Sequence, residues 1–128
     1  MKILLDTCTF LWIATGDAGL SQRAGELFAD PENDVYLSVA STWEIAVKYK
    51  LGKLSLPESP ERYIPTKREQ HGIDSLPLDE EATLYMTKLP DHHKDPFDRI
   101  LICQAIIGSL VILTPDELIT QYPLRCVW

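Results

Sequence analysis

Short apolar runs alternate with helix-like stretches along this chain, and two of the runs lead directly to an acid. Lys2-Ile3-Leu4-Leu5 is closed by Asp6, and Leu110-Val111-Ile112-Leu113 passes through Thr114-Pro115 to Asp116. Short apolar runs without helical periodicity, bounded by turn signals, read as buried strands. Strands that alternate with helices need crossover connections, and these build a parallel sheet covered on both faces. Ligands of such sheets bind beyond the carboxyl ends of the strands. Asp6 and Asp116 therefore fall where a ligand would sit.

The remaining elements follow the same pattern. Phe10-Leu11-Trp12-Ile13 reads as the core face of a short helix ending near Gly16, and Ser21 caps a second helix through about Ala29. Val35 to Val39 reads as a strand. Ser41 then caps a helix to about Leu51, stopped by Gly52. Pro57, Pro60 and Pro65 break the segment from Leu54 to Gln70, yet Glu61 to Gln70 has helical composition, and Ile73 to Leu78 reads as a short strand or extended connector. Asp79 starts a helix through about Lys88. Asp95 caps another, with Pro96 at its first position and its end near Gly108. Pro115 to Tyr122 reads as a short helix and Arg125 to Val127 as a last strand. The expectation is one α/β domain over residues 1–128, a three-layer α/β/α sandwich around a mostly parallel sheet.

With 45% hydrophobic residues the chain can bury a core without disulfides. Cys8, Cys103 and Cys126 are far apart and lack ligand spacing, so they read as reduced, mostly buried thiols of a cytoplasmic protein. Asp6 breaks the N-terminal apolar run, which excludes a secretory h-region, and no apolar stretch is long enough to span a membrane. The net charge of −7 argues against passive nucleic-acid binding but not against an acidic site filled by cations. Lys48, Lys50 and Lys53 form one basic patch, and His92, His93, Lys94 and Arg99 flank the proposed site.

Taken one at a time, most of the acids have a plainer role. Glu44 stands three residues after Ser41, as in a capping box. Asp95 before Pro96 is a helix cap, Asp98 complements a helix dipole, and Asp116 starts a turn. Asp6 lies at the edge of the core and needs a partner. Taken together, Asp6, Glu44, Asp98 and Asp116 come from four distant segments and meet at one edge of the sheet. Two ionised carboxylates about 5 Å apart repel by roughly 3 kcal/mol at an effective dielectric of 20. Several such pairs strain a domain of about 5–15 kcal/mol total stability, so protonation or a cation must relieve them. Oxygen ligands without His or Cys favour Mg²⁺ or Mn²⁺.

Leu4-Leu5-Asp6-Thr7, Ser38 through Lys48, Leu89 through Ala105 and Val111 through Asp116 together resemble the PIN-domain ribonucleases, specifically the VapC-type toxins of toxin–antitoxin pairs. The most specific segment is His92-His93-Lys94-Asp95-Pro96-Phe97-Asp98-Arg99. The resemblance implies a PIN-like sandwich with an acidic quartet of Asp6, Glu44, Asp98 and Asp116 holding one or two Mg²⁺ ions, Mn²⁺ substituting. Asp6 and Asp98 would be the direct ligands, and Glu44 and Asp116 would complete the shell. It implies hydrolysis of RNA, a cognate antitoxin and a homodimer. Thr114 would orient a ligand or water, and Asp95 would cap the helix or support the site.

Arg99 reads either as a phosphate clamp or, preferably, as the i, i+4 partner of Asp95. His92 and His93 read as solvated loop side chains or phosphate contacts rather than catalysts. Trp12, Trp43, Phe10 and Tyr49 read as core or dimer contacts. Two other classes compete. A haloacid-dehalogenase-type phosphatase would use Asp6 as nucleophile, but it wants a second Asp at the position held by Cys8. A non-catalytic PIN-like module that binds RNA or protein would typically have lost part of the quartet, which is intact here.

Overall fold

A computed structural model describes residues 1–128. The elements are β1 (Lys2–Leu5), α1 (Thr7–Thr15), α2 (Gln22–Ala29), β2 (Asp34–Ser38), α3 (Val39–Lys50), α4 (Pro60–His71), β3 (Ile73–Leu76), α5 (Glu80–Tyr85), α6 (Pro96–Gly108), β4 (Val111–Leu113) and β5 (Cys126–Val127). The strand order is β3-β2-β1-β4-β5, and every pairing is parallel. The sheet is fully rather than mostly parallel.

Alternation along β1 assigns its side chains to two cores. Ile3 and Leu5 join Val35, Leu37, Val111 and Leu113 on one face, under Phe10, Ile13, Ala24, Ile45, Tyr63 and Ile64 from α1 to α4. Leu4 and Ile112 point the other way, into Ala82, Leu101, Ile102 and Ala105 from α5 and α6. Helices thus cover both faces, which is why the central run Ile3–Leu5 and β4 are apolar throughout rather than alternating.

After β1 the chain moves to β2 and β3 on one side, then returns to β4 on the other side of β1. The direction of winding therefore reverses between β1 and β4. The crevice beyond the carboxyl ends of these two strands is the place where sheets of this type bind ligands. Asp6 directly follows β1, and Thr114-Pro115-Asp116 directly follows β4. Thr9 of α1 donates to the Leu113 carbonyl at 3.0 Å and ties the first helix to the end of β4.

Several local expectations change. Helix α1 begins at Thr7, with Asp6 as its N-cap accepting from the Thr9 amide at 2.8 Å. Helix α3 begins at Val39 and is capped by Ser38, not Ser41. Val39 suits a strand by its branching, so the strand-to-helix change is displaced in the sequence pattern. Pro60 opens α4 and Pro65 lies within it. The expected helix from Pro115 to Tyr122 is a turn followed by a single 3₁₀ turn at Ile119–Gln121. The Asp116 carboxylate takes the Leu118 amide at 2.9 Å, a side-chain bond that competes with helix formation. The cysteines are not mostly buried: Cys8 is exposed, Cys126 is half-buried and only Cys103 is buried. No helix is long and apolar enough to cross a membrane.

Candidate metal centre

Asp6 is held from two sides. One carboxylate oxygen caps α1 through the Thr9 amide, and the other accepts the Thr114 hydroxyl at 2.5 Å. Thr114 in turn accepts the Asp116 amide at 3.0 Å, so the ends of β1 and β4 share one hydrogen-bond chain. Glu44 enters from α3, in the second turn rather than the first. Its two oxygens accept from Thr7 Oγ1 at 2.6 Å and from Lys48 Nζ at 2.5 Å. The capping-box role is therefore excluded. Asp98 projects from the first turn of α6, whose N-cap Asp95 accepts from the amides of Phe97 and Asp98.

These side chains line one cleft of about 250 Å³, with Asp6, Glu44, Asp95, Asp98 and Asp116 on its walls and Lys48 as its only cation. Asp6 and Glu44 are buried, at 6% and 5% exposure, while the Asp98 and Asp116 side chains are 20% and 33% exposed. Burial raises the Asp6 carboxyl above its usual range, against the hydrogen bonds from Thr114 and Thr9, and Asp116 adds to the rise. For Asp98, burial and then the Asp95 charge raise the pKa from 3.8 to about 7, with His93 acting in the opposite sense. Lys48 is held above its usual range by its hydrogen bond to Glu44.

Four acids from distant segments thus reach one place, as the sequence leads one to expect. The neighbours of that place differ from expectation. Arg99 does not pair with Asp95, one oxygen of which caps α6 through the Phe97 and Asp98 amides. It turns back to the carbonyls of Leu89, Pro90 and His93 and to Asp91 at 3.3 Å, and so fastens the preceding loop. His93 is buried, at 7% exposure, with Nε2 at 3.1 Å from carboxylate oxygens of both Asp98 and Asp116. His92 packs edge-on against Tyr122. Phe10 is core, but Trp43 is 63% exposed and meets the Phe97 edge, Tyr49 is also exposed, and Trp12 lines the cleft against Trp128. Thr7, Lys48 and Tyr122 were not singled out for the site. Lys48 was recoverable from its i, i+4 spacing to Glu44.

The donor set fits a hard divalent cation. Carboxylate oxygens converge on one cleft, and two of the carboxyls, Asp6 and Asp98, are pushed toward their protonated forms by burial and by neighbouring carboxylates. A cation reverses both effects. Asp6, Glu44, Asp98 and Asp116 are the residues able to hold it, with Thr114 fixing the Asp6 carboxylate.

A family model described as PIN domain matches residues 3–123. A 56-residue segment is 41% identical to Ribonuclease VapC16 of Mycobacterium tuberculosis, a match covering 44% of this chain and only 40% of that protein's length. Among solved structures, VapBC2 from Rickettsia felis bound to a promoter DNA fragment aligns with a TM-score of 0.74 at 16% identity, covering 99% of this chain and 98% of the other. DNA-bound VapBC from Salmonella typhimurium aligns with a TM-score of 0.68 at 19% identity, covering 99% and 97%. These two likenesses establish the fold.

Proposed function

Because the chain belongs to the PIN-domain family, we propose that it is a metal-dependent endoribonuclease, the toxin of a toxin–antitoxin pair. The observation that carries this reading is the convergence of Asp6, Glu44, Asp98 and Asp116 on one cleft at the point where the sheet reverses direction. The partial likeness to a protein named as a ribonuclease supports the choice of RNA.

Asp6 and Asp98 would be the direct ligands of Mg²⁺ or Mn²⁺, with Glu44 and Asp116 completing the shell. When bound, the ion supplies an acidified water as nucleophile and positive charge against the phosphoryl oxygens. Thr114 keeps the Asp6 carboxylate in one orientation, and Thr7 does the same for Glu44. Lys48 lines the same cleft and offsets part of its negative charge, and would be available to a scissile phosphate. Asp95 positions Asp98 by starting its helix. No side chain needs to form a covalent intermediate.

An acidic cleft also suits a cationic protein segment. A small antitoxin would cover it with a basic tail, consistent with the toxin–antitoxin complexes that share this fold. A homodimer and a cytoplasmic location complete the reading. The test is cleavage of total RNA by the purified chain. Cleavage with Mg²⁺ or Mn²⁺ that stops on adding EDTA is expected. RNA cut equally well in EDTA, or left intact at saturating metal, would refute it.

A further inference from the structure

We propose that His93 is a positioning residue: a hydrogen-bond donor that fixes the Asp116 carboxylate beside Asp98, and not a metal ligand. The inference rests on the metal-site reading above. His93, Asp98 and Asp116 offer three ligand-type atoms within 4.8 Å of one another, an arrangement that at first sight resembles a mixed nitrogen–oxygen metal site. The other ring nitrogen decides against it. The Asp95 backbone amide donates to His93 Nδ1 at 3.2 Å. An amide proton is fixed in place, so Nδ1 must be bare and the ring proton sits on Nε2, facing the two carboxylates.

A ligating histidine shows the reverse pattern. Its metal-facing nitrogen is bare, and its far N–H donates to a carbonyl or carboxylate. Ligation through Nε2 would require a proton on Nδ1, directly opposite the Asp95 N–H. Two donors would then face each other.

The ring is also held firmly from behind. The His93 amide donates to Tyr122 Oη at 2.7 Å, and its carbonyl accepts from Arg99 at 2.9 Å. Tyr122 Oη donates to the Pro90 carbonyl at 2.6 Å. Arg99 and Tyr122 thus clamp the loop that presents the imidazole. The consequence is chemical: His93 restrains one oxygen of Asp116 by a hydrogen bond, stands 3.1 Å from one oxygen of Asp98, and adds no nitrogen to the ligand set. The cation site stays all-oxygen, which suits Mg²⁺ and Mn²⁺ over softer ions such as Zn²⁺.

Two measurements test this. Long-range ¹H–¹⁵N NMR of the metal-free protein at about pH 8 should show His93 protonated on Nε2 and bare on Nδ1. Mn²⁺ bound to the protein should show no imidazole-nitrogen coupling in pulsed EPR. His93→Gln keeps an N–H donor at similar reach and should bind Mn²⁺ within about threefold of wild type, whereas His93→Ala should lose about tenfold or more. An Nδ1–H ring, a nitrogen coupling to Mn²⁺, or unchanged Mn²⁺ affinity in His93→Ala overturns the proposal. Wild-type protein that binds no Mn²⁺ yet carries the Nε2–H ring overturns the metal reading rather than the hydrogen-bond assignment.

Discussion

Replacing Asp98 by Asn gives a protein that is more stable in metal-free buffer and cuts RNA far more slowly. Both effects follow from one carboxyl. Burial and the neighbouring Asp95 raise the Asp98 pKa from 3.8 to about 7. Between these values the folded chain keeps a proton that the unfolded chain has released. Stability of the wild type therefore falls as pH rises through this window, and the full loss is present above it. Asn carries no proton to lose, so its advantage is near zero at the acidic end. It reaches about 1–3 kcal/mol above neutrality, the scale of one close like-charge repulsion. Urea denaturation at several pH values in EDTA reads this directly. A stability difference between the two proteins that does not widen as pH rises through this window, or an Asn variant less stable than wild type above neutrality, would contradict it. Cleavage by Asp98→Asn at saturating Mg²⁺ should fall by on the order of 10²–10³-fold, since one charged group of a concerted set is missing.

Asp6→Asn should show a comparable loss of cleavage with the fold intact. Asn is as good an N-cap as Asp, so its side-chain oxygen still accepts the Thr9 amide. The Thr114 hydroxyl can rotate to accept from the new amide group. The melting temperature in EDTA should therefore hold or rise, because burial already raises the Asp6 carboxyl above its usual range. Full activity of Asp6→Asn, or its failure to fold, would each contradict the role given to Asp6. Comparing circular dichroism melts with RNA cleavage separates the two failures.

Asp6 and Asp116 were legible because a charge that ends an apolar run must lie at the rim of a core, and a parallel sheet collects such rims at one edge. The topology supplied the rest, since β1 and β4 are neighbours only through the reversal of winding. Glu44 was found, but its local setting was misread. Val39 suits a strand by its branching, so the expected helix start slid three residues and created a false capping box. Arg99 illustrates the limit of spacing rules. Its i, i+4 neighbour Asp95 is the correct distance away along the helix, but the guanidinium turns instead to the carbonyls of Leu89, Pro90 and His93 in the preceding loop. Both histidines were placed beside the site, but the inward turn of His93 was not legible. Asp91-His92-His93-Lys94 is a polar loop with nothing to say which histidine turns inward, and the choice is made by Tyr122, 29 residues away in sequence.

Calorimetric titration of Mn²⁺ into the purified chain, beside Asp6→Asn and Asp98→Asn, probes the acidic cleft without depending on any RNA. Saturable binding by the wild type that both substitutions abolish or greatly weaken is the expected result. No binding to the wild type, or equal binding by all three proteins, would mean that these carboxylates do not form a cation site.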